Sequence, residues 1–133
     1  MQSEITLEKA KELVRDAVKR FPNRTNPRQK QGVGGVCLYT GPRNTHCIAG
    51  QVLADLHLPL PDIGGYGNSS AFGDEILGAN HPFTEDAINY IRAAQYVFDG
   101  GPIAHHQKNE KRRWSAALNL LEKHADEAYD RSA

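Results

Sequence analysis

What most constrains this chain is a series of apolar stripes at helical spacing, each closed by recognisable end signals. Leu7, Ala10, Val14, Ala17, Val18 and Phe21 recur at intervals of three and four residues, which places them on one helix face. Thr6 can cap that helix, Glu8 lies in its first turn, and Pro22-Asn23 stop it. Ile48, Ala49, Val52, Leu53 and Leu56 form a second stripe, ended before Pro59. A third joins Ala87, Ile88, Ile91, Ala94 and Phe98; Thr84 is its cap, Phe83 is placed to staple against Ile88, and Gly100-Gly101 close it. The fourth contains Trp114, Ala117, Leu118, Leu121, Ala125 and Ala128.

These stripes predict a mainly α fold of four helices, near 6–21, 46–58, 84–99 and 109–129, around one core. The β-prone run 36–40 and the turn residues Gly41 to Asn44 allow at most one small β-hairpin between Val36 and Cys47. Expected at the centre are Val14, Val18, Ile48, Val52, Leu53, Leu56, Ile91, Ala94, Trp114, Leu118 and Leu121. Gly50 lies inside a helical stripe, which suits a close backbone approach. No repeat or boundary divides the chain, so 1–133 is read as a single domain.

With 133 residues, the chain can bury one core without staples. Apolar content of 39% and charged content of 24% fit a folded protein rather than a disordered one. No apolar run approaches the roughly 20 residues a membrane span needs. The first residues mix charged with single apolar side chains, unlike a secretory signal. A cytoplasmic setting is expected, with Cys37 and Cys47 reduced, unlinked and without metal.

The net charge is zero, but the charges are segregated. Between Ala17 and Ala54 there are six basic residues and no acid; between Asp55 and Asp99 there are seven acids against Arg92 alone. A further basic group is Lys108, Lys111, Arg112 and Arg113. Uneven charge of this kind is usually a solvated surface, although it also suits self-association or an ionic partner.

Three kinds of chemistry can be weighed. Cys47, early in a helix, could have its thiolate favoured by the helix dipole. A thiol hydrolase would then need a base from His81, His105 or His106, because the adjacent His46 points elsewhere. The favoured reading of Cys47 is a small buried hydrophobe. Cys37, His46, Cys47 and His105-His106 lack the paired spacing of zinc sites, and no cofactor is expected. Gly64, Gly65 and Gly67 complete no phosphate loop. Arg20, Arg24, Arg28 and Lys30, with Lys111, Arg112 and Arg113 ahead of Trp114, would suit phosphate contacts. Against that, the chain is neutral overall, and Trp114 reads more simply as a core anchor.

The stretch Pro59 to Pro82 holds five glycines and three prolines, and it is longer than a plain connection requires. It leaves room for at most a short helix at Ala71 to Leu77. Ile63, Tyr66 and Phe72, rimmed by Asp74 and Glu75, are the first choice for a protein-binding surface. The alternative is that its apolar side chains fold back and finish the core.

Cys37-Leu38-Tyr39, then Cys47-Ile48-Ala49-Gly50 with Leu53, and later Ala94-Gln95, Asp99-Gly100 and Trp114 with Ala117-Leu118, resemble two blocks of small actinobacterial and actinobacteriophage proteins. Those proteins more often have valine where Ala49 stands, and their stretch corresponding to 101–114 is shorter. The resemblance implies a phage or host origin and no particular reaction. The function expected is therefore a non-enzymatic binding protein, a phage-encoded accessory factor contacting a host or self protein, with a homodimer as one form. A nucleic-acid binder using 19–30 and 108–113 is the alternative, and a thiol hydrolase at Cys47 the second alternative.

Overall fold

The computed structural model describes residues 4–26, 46–60, 72–73, 77–103 and 112–132. Among these the fold is mainly helical: α1 (Leu7–Arg20), α2 (Ile48–Asp55), α3 (Glu85–Phe98), α4 (Trp114–Lys123) and α5 (Ala125–Ser132). The end signals behave as the sequence predicts. Thr6 accepts the Lys9 N–H at 3.2 Å, and Thr84 accepts the Ala87 N–H at 3.2 Å, so each hydroxyl satisfies one orphan donor. Gly100 carries φ +90 just past α3, a conformation glycine adopts without steric cost.

Two helical expectations need correction. The second helix begins after Cys47, which is its N-cap, and it ends at Asp55, short of the predicted 46–58. The last is two helices: it starts only at Trp114 and breaks at His124, whose φ −126 and ψ 43 leave the helical region. The apolar stripe runs through the break because Leu121 and Ala128, on either side of it, are both buried and Ala125 between them is half-buried, so periodicity alone does not reveal the kink. The expected hairpin falls outside the described residues apart from His46 and Cys47, and the short helix at 71–77 falls largely outside them.

α3 is the hub, packing on all four other helices, while α1 also packs on α2 and α4. The described residues contain no sheet; Ile5 and Phe83 form an isolated parallel bridge. In it Ile5 N–H bonds Pro82 O at 2.8 Å and Thr84 N–H bonds Ile5 O at 3.0 Å. That bridge ties the chain ahead of α1 to the start of α3.

Residues Ile48 to Leu53 are all buried, so α2 is enclosed on every side. Of the expected core, all but Leu56 and Leu118 are buried; those two are half-covered and pack against it. Trp114 is the centrepiece, with Phe21 edge-on at 6.3 Å and Phe98 tilted at 6.0 Å between ring centroids. At the surface, Arg15 on α1 reaches Glu122 on α4 through Nε (3.1 Å) and Nη2 (2.7 Å). Beneath them, burial first and the charge of Glu122 second push the Tyr90 phenol well above its ordinary pKa. No described helix is long and apolar enough to cross a membrane.

Candidate functional site

Three places bear the residues singled out by chemistry. The first is the start of α2. An α-helix leaves its first N–H groups without intrahelical partners, and here three side chains from separate parts of the chain take them. Asn26 Oδ1 accepts the Ile48 N–H (3.0 Å), Gln95 Oε1 accepts the Ala49 N–H (3.0 Å), and Cys47 Sγ accepts the Gly50 N–H (3.4 Å). Asn26 Oδ1 also accepts the Trp114 indole N–H at 2.9 Å. The amides of Asn26 and Gln95 both donate to Asp99, at 2.8 Å and 3.0–3.1 Å. Asn26, Cys47 and Gln95 are buried.

Cys47 is thus a cap enclosed by the fold, with half-buried His46 beside it in sequence. His105 and His106 lie outside the described residues, as does Cys37. His81 belongs elsewhere: its Nδ1 accepts the Phe83 N–H at 3.2 Å, and its ring tilts over Phe83. Among the described residues no three His, Cys, Asp or Glu side chains cluster as a metal site would require. Cys47 to Gly50 form one half of the junction, and Gln95, Asp99 and Trp114 form the other.

The second place is where the basic segments come together. α4 has no side-chain cap. Instead the Trp114 N–H bonds Arg24 O at 2.8 Å and the Ser115 N–H bonds Pro22 O at 3.0 Å, so the turn after α1 closes the start of α4. The Arg24 guanidinium lies 3.8 Å from the Phe21 ring centroid and 5.1 Å from that of Trp114, and it donates to Gln51 at 2.9 Å. Burial and then the like charge of Arg20 lower its pKa. Arg20 pairs with Asp16 at 3.3 Å and with Asp55.

Arg112 corrects the sequence reading. It was expected on a phosphate-contacting surface, but it is buried and donates to Val97 O (3.0 Å) and Gly101 O (2.7 Å), a cation at the carboxy-terminal end of α3. Arg113 is exposed. Arg28, Lys30 and Lys111 fall outside the described residues.

The third place is the surface beside the 59–82 stretch. Phe72, expected as an exposed anchor, is fully buried, edge-on to Phe83 at 5.6 Å. At this position the fold-back alternative holds, because a phenyl ring gains more from the core than from solvent. Ile63, Tyr66, Asp74 and Glu75 lie outside the described residues. Two depressions open here, with His81 in the wall of both. The smaller, about 210 Å³, is lined by the half-buried Leu58, Leu60 and Leu77 together with prolines. The larger, about 500 Å³, lies over α3 and is lined by Glu85, Ile88, Asn89 and Arg92. Sequence reasoning did not select Asn89 or Arg92. The available signal was that Arg92 is the only basic residue from Asp55 to Asp99.

Compared with family models, curated proteins and solved structures, the chain matches none.

Proposed function

We propose that this chain is a non-enzymatic binding protein that acts by contact with a host or self protein. In this reading it is a phage-encoded accessory factor working in the bacterial cytoplasm. One observation carries the proposal: among the described residues Cys47 and its polar neighbours are enclosed, while the apolar surface at the two ends of 59–82 stays half-open. Cys47, Asn26 and Gln95 are buried at the start of α2, holding helix ends. Leu58, Leu60 and Leu77 border a depression next to the stretch that carries Tyr66. The resemblance to actinobacterial and actinobacteriophage proteins supports the setting.

The test is capture from an actinobacterial lysate with and without nuclease, using the parent, Leu60→Glu and Tyr66→Ala. The expected outcome is a nuclease-resistant protein retained by the parent and lost by the variants at unchanged melting temperature. Equal retention by parent and variants, or recovery of nucleic acid alone, counts against the proposal.

A second reading, nucleic-acid binding, draws support from a separate observation. The two basic segments meet through Arg24 and Trp114, which gathers Lys19, Arg20, Arg24 and Arg113 near one junction. Its mark would be capture that nuclease abolishes, weakening steeply as salt rises.

A further inference from the structure

We propose that Arg92 and Asn89 form a receptor for a small monocarboxylate with an apolar body. This goes beyond the protein-contact reading and stands without it. Glu85, Ile88, Asn89 and Arg92 stand at intervals of three and four along α3, so they share one face, the floor of the larger depression. Phe83 supplies an apolar wall at one end.

Two contacts position the Arg92 side chain. Its Nε donates to Phe72 O at 2.6 Å, and its guanidinium rests on the bare face of Gly73. A Cβ on Gly73 would stand 2.9 Å from Arg92 Nη2, so the end of the guanidinium would have to move from its present place, although 3.7 Å to Cζ is ordinary contact. Gly73 also carries φ +140, which only glycine adopts readily. Glycine here therefore makes the seat on which the cation lies.

Among the described residues only the Nε edge of the guanidinium has a partner. Arg15, Arg20 and Arg131 each pair with a carboxylate. Among the described residues the Arg92 Nη groups have no acceptor, and no carboxylate lies within ion-pair distance. The Asn89 amide, one turn earlier, has no protein partner there either. A half-buried, preorganised guanidinium edge with a neighbouring amide matches a carboxylate, which accepts two parallel N–H bonds. Its confinement in one orientation lowers the entropic cost of binding.

Glu85 sets the charge of the ligand. It lies seven residues from Arg92, about 10 Å along the helix. A second carboxylate at the far end of the ligand would meet it, so a monocarboxylate is favoured over a dicarboxylate, and inorganic phosphate lacks the apolar body that Ile88 and Phe83 would cover. Ile88 and Phe83 between them favour an apolar body, and about 500 Å³ suits a small molecule.

The test is NMR titration of the full chain with 3-phenylpropanoate, its amide and inorganic phosphate, following the Arg92 Nε–H and the Asn89 side-chain amide. The acid is expected to give a saturable shift, with amide and phosphate at least about tenfold weaker. Arg92→Gln should weaken the acid by about tenfold or more, the loss of one charge-assisted pair. Exposed Glu85→Gln should tighten it by about twofold, since a partly screened repulsion is removed. This last variant keeps the proposal open to failure even if Arg92→Gln disturbs the fold. Equal binding of acid and amide, parent-like affinity in a folded Arg92→Gln, unchanged or weaker binding in Glu85→Gln, or no saturable shift would each overturn it. None of these readouts depends on the lysate partner.

Discussion

The Asn26 junction and the Arg92 cleft use similar groups, an amide and a charged side chain against α3, in opposite ways. At the junction every polar group named is engaged inside the protein: Asn26 bonds α2, Trp114 and Asp99 at once. In the cleft Arg92 has, among the described residues, one partner, the Phe72 carbonyl, and it lines an open depression. Buried polar groups cost stability unless they are matched, so a satisfied network behaves as scaffold. A cation whose described partner is a single carbonyl, at the edge of a cleft, stands instead where a ligand could reach it. Degree of satisfaction therefore separates structure from site better than residue type does.

The comparison can be tested by substitution. The largest effect is expected at Phe72, a fully buried ring whose carbonyl holds Arg92 beside the cleft: Phe72→Ala should lose about 3–5 kcal/mol in chemical denaturation. Parent-like stability there would mean that the cleft is not built on the core. Asn26→Ala comes next. It strands the Ile48 N–H and the Trp114 indole N–H, and with about 1–3 kcal/mol for each buried unmatched donor the loss should exceed about 2 kcal/mol.

Arg92→Gln, by contrast, should change the unfolding free energy by about 1 kcal/mol or less, since one half-exposed hydrogen bond is removed. A loss as large as that of Asn26→Ala would erase the distinction between the two regions. Smallest is Arg15→Ala, where an exposed pair with Glu122 should contribute no more than about 0.5 kcal/mol, read as a shift in denaturation midpoint.

What could be read from sequence follows from which interactions are local. Thr6 and Thr84 announce their helices because a cap acts over three residues, and the stripes of α1 and α3 identify their buried faces. Asn26 gives no such signal: it stands in a polar stretch after α1, and its partners are 22, 73 and 88 residues away. Arg112 misleads in the same way, since a side chain in a basic run reads as surface until its distant partner is known. Phe72 lies in a glycine-rich stretch without periodicity, which leaves core and contact roles open. The kink at His124 has neither proline nor glycine to mark it. For Arg92, charge segregation marks the position, but the seat on Gly73 is a tertiary feature.

Trp114 has an experimental consequence of its own. It is the only tryptophan of the chain, and its indole N–H is bonded to a residue 88 positions away. Intrinsic fluorescence therefore reports closure of the most non-local contact of the junction, without a label. Contacts between residues so distant must overcome chain-closure entropy before they contribute, whereas the helices themselves can form locally and early. Stopped-flow emission from Trp114, set beside far-ultraviolet dichroism, would time the locking of the fold against helix formation. Asn26→Ala in the same measurement would assign the lock to one side of the barrier: slower refolding places it within the folding nucleus, and faster unfolding alone places it after.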